Sequence, residues 1–171
     1  MQPPLSAEYR PYFQRYIDLV PQGDIIDVLK QQAKEVTDFF TTLPADIHDY
    51  RYADGKWSIK QVLLHITDTE RVMSYRALVA ARGDMGAILS SMDENLYAEN
   101  APYTGRTMDD ILEEFAAVRA ATLHLLANIT EQQSVQRANN SDGTYFTTRA
   151  LAYIIAGHLL HHIQVIKDRY L

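Results

Sequence analysis

Ala156-Gly157-His158-Leu159-Leu160-His161-His162 lies inside a stretch from Thr147 to Tyr170 and puts three of the chain's six histidines within five residues. At about 100° per residue, His158 and His162 stand one above the other on a single helix face, with Cβ atoms about 5–6 Å apart. With His158 at zero on a helical wheel, Leu151, Ile154, Ile155, Leu159, Val165 and Ile166 fall between roughly −40° and +100°, and His161 lies about 60° to the side. The stretch predicts a helix, capped by Thr147 or Thr148, whose apolar face carries an i,i+4 histidine pair.

Outward from this stretch, three more helices are predicted. The first opens near Asp24 and carries Ile25, Ile26, Val28, Leu29, Ala33, Val36, Phe39 and Phe40 at helical spacing until Pro44 closes it. A connector over 44–56 ends in the turn signal Asp54-Gly55. The second helix starts near Trp57-Ser58, with Ser58 as N-cap, and runs to about Arg82, where Gly83 is a natural stop. Its stripe is Ile59, Val62, Leu63, Ile66, Met73 and Ala77, with His65 at the edge of that stripe.

Residues 83–106 read as a long irregular loop of the kind that serves as a lid or binding loop, and its Tyr97 and Tyr103 are candidates for an entrance or for packing. Thr107 with Asp110 resembles a capping box and opens a third helix reaching about Ile129. Asn139-Asn140-Ser141-Asp142-Gly143 is a turn cluster. No alternation of strand type is sustained and no segment repeats. Four amphipathic helices with two long connections predict an all-α four-helix bundle. We read 1–171 as a single domain, with an N-terminal arm (1–21) of Tyr9, Tyr12, Phe13 and Tyr16 among prolines, and the bundle in 22–171.

The totals narrow the function. A net charge of −6 argues against a dedicated nucleic-acid binder, although a local basic patch is compatible with that sum. With no cysteine, the chain has no disulfide, thiolate ligand or thiol nucleophile, so any thiol chemistry needs a co-substrate. The N-terminus has no basic segment followed by an apolar run, and no stretch is long and apolar enough to span a bilayer. A cytoplasmic location without membrane contact is expected.

His65 on one helix and His158 with His162 on another all lie near apolar arcs that must meet in the core. Two accounts stand at this level. The histidines can be separate core or seam residues satisfied by carbonyls and carboxylates, or they can share a divalent ion, since an unpaired imidazole in a packed core is unfavourable. Three imidazoles plus water make an open site of catalytic type, and imidazole suits zinc, nickel or iron. Asp68, one turn beyond His65, can orient an imidazole or pair with Arg71. Glu70 can pair with a buried arginine, Arg76 or Arg119. His48 and His124 read as seam or surface residues. No Glu-x-x-His pair of di-iron type and no His-Glu-x-x-His motif is present.

The motifs carry a resemblance. Gly55-Lys56-Trp57-Ser58-Ile59-Lys60-Gln61-Val62-Leu63-Leu64-His65-Ile66-Thr67-Asp68-Thr69-Glu70-Arg71, followed by Tyr75-Arg76 and Ala81-Arg82, resembles the second-helix signature of the DinB/YfiT-like superfamily. Ala156 to His162, ending in Asp168-Arg169-Tyr170, resembles its fourth-helix signature. The resemblance implies a four-helix bundle with one divalent metal, zinc or nickel most often, held by His65, His158 and His162. His161 matches a position commonly occupied by histidine but not expected to be a ligand, and joins Asp68 as a candidate supporting residue. It further implies a homodimer and thiol-dependent S-transfer or isomerisation with a low-molecular-weight thiol co-substrate, while an open metal position could equally activate water to hydrolyse a small-molecule substrate. A metal- or ligand-binding bundle without catalysis, and a structural dimer whose histidines pack without metal, are the alternatives.

Overall fold

A computed structural model describes all residues, 1–171. The arm forms two 3-10 turns, Ser6–Glu8 and Pro11–Phe13, the second running into the short helix α1 (Gln14–Ile17). The order then is α2 (Ile25–Thr41), α3 (Ile59–Ala81), β1 (Ile88–Leu89), α4 (Glu94–Asn100), α5 (Met108–Leu126), α6 (Glu131–Ser134), β2 (Arg137–Asn140), β3 (Tyr145–Thr147) and α7 (Thr148–Arg169). The long helices α2, α3, α5 and α7 are the four expected from periodicity, each within a few residues of its predicted limits.

Their starts follow from side-chain caps that satisfy the first free N–H groups. Asp24 accepts from the Ile26 N–H, and Thr147 from that of Ala150. Ser58 and Gln61 form a full capping box on α3. On α5, Thr107 accepts from the Asp110 N–H, but the Asp110 carboxylate bonds Arg106 instead of returning to the cap, so the box is only half made. Gly83, at φ 68°, takes the left-handed conformation that ends α3, a backbone state costly for any residue with a Cβ.

Two expectations are corrected. Residues 83–106 are not wholly irregular: they contain β1 and α4, the latter capped by Asp93 and tied to α3 by a Gln61 side-chain N–H donated to the Ala98 carbonyl at 2.9 Å. The bundle also carries a small sheet, with β1 parallel to β2 and β2 antiparallel to β3. Its hairpin turn is the predicted Asn139–Gly143 cluster, closed by an Asn140 N–H donated to the Thr144 carbonyl at 2.8 Å. The strand Arg-Ala-Asn-Asn over 137–140 has no apolar alternation because only Ala138 is fully buried, under Val79, Ala80 and Leu89.

Besides the small cluster under the sheet, the bundle interior is two large apolar clusters separated by a polar layer. One cluster takes Val36 and Phe40 of α2, Ile59 to Ile66 of α3, Ile111 and Phe115 of α5, and Leu159 and Ile166 of α7. The other takes Leu29, Met73, Leu126 and Leu151 to Ala156 from the same helices. On every helix the switch falls at a polar residue: Gln32, His65 to Glu70, Arg119, and Gly157-His158. Arg119 lies fully buried and forms a two-pronged pair with Glu70 at 2.7–2.8 Å. It also donates to the Leu29 carbonyl at 3.0 Å and to Gln32, whose amide reaches the Ala156 carbonyl at 3.0 Å. Of the two arginines offered to Glu70 by the sequence, the structure pairs it with Arg119.

Candidate metal centre

His65 leaves α3 and His158 and His162 leave α7 on the seam where these two helices pack, inside the polar layer. Nε2 of His158 lies 3.1 Å from Nε2 of His65 and 3.1 Å from Nε2 of His162. One nitrogen from each of the three rings falls within 4.8 Å of the others. A neutral imidazole nitrogen either donates once or accepts once, so His158 Nε2 cannot satisfy both neighbours by hydrogen bonding. A cation shared by all three lone pairs resolves the conflict. Nitrogens about 2.1 Å from a tetrahedral zinc would stand about 3.4 Å apart, close to the 3.1 Å that separates His158 from each of the other two. The residues fit a divalent ion.

Electrostatics agree. Burial, with added repulsion from His161, lowers the His65 pKa to about 4. Burial, then the neighbouring histidines, holds His158 well below its ordinary value. Burial and His65 likewise lower His162 to about 2. All three are therefore neutral at pH 7 and keep the lone pairs that a metal needs.

Rings from two other elements enclose the site. Trp57 lies tilted over His65 with centroids 4.6 Å apart, and Tyr170 secures it by donating its hydroxyl to the Trp57 carbonyl at 2.7 Å. Tyr16 meets His158 and His161 edge-on, each at 5.3 Å. Gly157 makes this approach possible: a Cβ there would lie 1.9 Å from the Tyr16 carbonyl oxygen. The arm is held down further along by Glu8, which accepts from Thr147 at 2.8 Å and from Arg149 at 2.7 Å.

A cavity of about 310 Å³ opens beside the triad, with His65 and His158 in its wall. One stripe of α3, His65, Thr69, Met73 and Arg76, forms its floor; the arm and the hairpin turn form its sides. Sequence reasoning singled out the histidines but not this floor, although its i, i+4, i+8, i+11 spacing marks one helix face. Asp68 is placed elsewhere. It bonds Arg71 at 2.9 Å in a chain that continues to Glu114, and His65 Nδ1 is buried without a hydrogen-bond partner. His161 packs on the His162 ring at 5.1 Å without contributing to the converging nitrogens. His48 bonds the Leu43 carbonyl at 3.1 Å, and His124 is exposed on α5. Tyr97 is exposed, and Tyr103 accepts from Arg51 at 2.9 Å; neither lines the cavity.

The model of the DinB superfamily matches residues 29–166, a span containing α3, α5 and all three histidines. The chain belongs to the DinB superfamily. Among solved structures this DinB-superfamily chain is similar to YfiT from Bacillus subtilis, described as a probable metal-dependent hydrolase with an unusual four-helix bundle topology. The two share 20% identity and a TM-score of 0.67, covering 96% of this chain and 89% of YfiT. It is also similar to the DinB-like protein YjoA from Bacillus subtilis, with 17% identity and a TM-score of 0.60, over 85% of this chain and 88% of that one. At these identities the likeness is one of fold. No curated protein sequence matches significantly. No helix of the DinB-superfamily chain is long and apolar enough to cross a membrane.

Proposed function

We propose that the protein is a metal-dependent enzyme that holds one divalent ion, zinc or nickel, on His65, His158 and His162 and hydrolyses a small-molecule substrate in the adjoining cavity. The observation that carries this reading is the convergence of three neutral imidazole nitrogens beside that cavity, with His65 and His158 in its wall. The description of the structurally similar YfiT as a probable metal-dependent hydrolase supports it. When bound, the ion supplies Lewis acidity that makes a water molecule or a thiol nucleophilic near neutral pH. The chain's own part is to keep the three imidazoles deprotonated, to shield them with Trp57 and Tyr16, and to leave His65 and His158 facing the substrate. Transfer to a low-molecular-weight thiol uses the same site with the thiol as co-substrate, because the chain has no cysteine to supply one.

The test is metal analysis of tag-free protein after loading with zinc or nickel, with a panel of activated esters assayed with and without added thiols. About one ion per chain is expected. It should be lost in His65→Ala, His158→Ala and His162→Ala and kept in His161→Ala. No bound metal after loading, or ester hydrolysis undiminished by His162→Ala, overturns the proposal. Metal without turnover assigns the chain to the binding bundles instead. Turnover only with added thiol selects S-transfer.

A further inference from the structure

Arg76 stands apart from the other buried cations, Arg119 and Lys60, the latter paired with Asp49 at 2.9 Å. It is 6% exposed and lines the cavity, yet no carboxylate pairs with it. Nη2 donates to the Ser90 carbonyl at 2.7 Å, and Nη1 lies 3.6 Å from the Met73 sulfur. Arg119, by contrast, has Glu70. A buried guanidinium without a counter-charge is costly, which makes Arg76 expensive as a purely structural residue. Burial lowers its pKa, and the charge of Arg10 across the cavity lowers it further. Arg10 has its own partner, Asp142 at 3.4 Å, and Glu94 lines the cavity while exposed and unpaired with either arginine.

A second, independent observation lies between Arg76 and the histidines. The Thr69 hydroxyl is fully buried, lines the same cavity and has no hydrogen-bond partner. A guanidinium fork matches a carboxylate, and a neighbouring free hydroxyl adds a polar contact along the way. The lining balances two arginines with two carboxylates, Asp142 on Arg10 and the exposed Glu94, so Arg76 is the one buried charge there without an ion pair, and it suits a single carboxylate better than a doubly charged phosphate. The guanidinium leans back along α3 to Met73, as helix side chains do. Met73 is eight residues from His65, so the anion end lies about 12 Å along the helix from the triad.

We propose that the cavity takes a small organic acid, its carboxylate held by Arg76, Thr69 along its length and its reacting end at the histidines. The assignment rests on the metal-site reading only for what happens at that second end. The carboxylate can belong to the electrophile or to a thiol co-substrate.

Isothermal titration calorimetry of the metal-free protein with octanoate and with octanamide tests the anion site without involving metal. Octanoate should bind and octanamide should bind at least about 10-fold more weakly, a difference of about 1.4 kcal/mol. Arg76→Gln, which keeps a donor for the Ser90 carbonyl, should abolish that preference, and Arg76→Lys should retain part of it. Metal content should be unchanged in both variants. Their melting temperatures should match or exceed that of the parent, since a merely structural arginine would lower them. Equal binding of octanoate and octanamide, or an octanoate preference that survives Arg76→Gln, overturns the proposal whether or not the protein binds metal. On metal-loaded protein, tighter binding of 8-mercaptooctanoate than octanoate places the anion on the thiol; equal binding places it on the electrophile.

Discussion

Three imidazoles buried at one point carry a pH signature that follows from their environment. The unfolded chain protonates His65 below its ordinary pKa of 6.5, whereas the folded chain does so only near 4. Between those values the unfolded state binds more protons, so acidification favours unfolding. The metal-free protein should lose about 2 kcal/mol from His65 alone between pH 7 and 5, and more from His158 and His162. Urea unfolding midpoints across that range measure this. A midpoint that does not move with pH contradicts the burial, and His65→Gln should flatten the slope. His158 and His162 were legible in the sequence because i,i+4 spacing on an apolar arc is itself a geometric statement, and His65 by its place at the edge of another apolar stripe. Thr69 and Arg76 were not, because the same residue types line solvated helix faces just as readily. Only the absence of partners in the folded chain distinguishes them.

At the scale of the element, the arm and α7 depend on one glycine. Gly157→Ala would drive a Cβ into the Tyr16 carbonyl, and backbone cannot yield as a flexible side chain can. The expected cost is about 1–3 kcal/mol. The arm should lift from His158, which limited trypsin digestion reports as faster cleavage after Arg15. Glu8→Gln should speed the same cleavage more mildly, because burial acts to raise this carboxyl's pKa but the Arg149 and Thr147 hydrogen bonds outweigh it. Unchanged digestion of Gly157→Ala would show that the arm does not rest there. The aromatic residues of 1–21 announced a packed arm; they could not say against what. Likewise the turn cluster at 139–143 was visible, while the strands around it were not, since β2 is ordered by pairing with both β1 and β3 rather than by an apolar pattern of its own.

Across the whole molecule, the polar layer sets the four long helices in register. Arg119, Glu70 and Gln32 bind α5, α3 and α2 to one another and, through the Ala156 carbonyl, to α7 beside the triad. Arg119→Leu leaves Glu70 buried without its partner and should destabilise the protein by about 3–5 kcal/mol. The double variant Glu70→Leu/Arg119→Leu should recover much of that loss in urea unfolding. If Arg119→Leu alone is neutral, the layer does not hold the bundle. The double variant also separates stability from site geometry: stability can return while metal affinity stays weakened, because a leucine pair no longer fixes Gln32 against the Ala156 carbonyl.

The sequence alone determined the four long helices, their main caps and the pairing of His158 with His162 on one face, because periodicity, capping chemistry and i,i+4 spacing are local and each residue carries its part of the information; that His65 meets them was implied by resemblance and decided by packing. Glu70's need for a buried arginine was equally local. Which arginine answered it was not. That choice, the partnerless state of Arg76 and Thr69, the release of Asp68 to Arg71, and the seat of Tyr16 on Gly157 all depend on which distant segments meet. Distances between helices, unlike positions along one, exist only after the chain has packed.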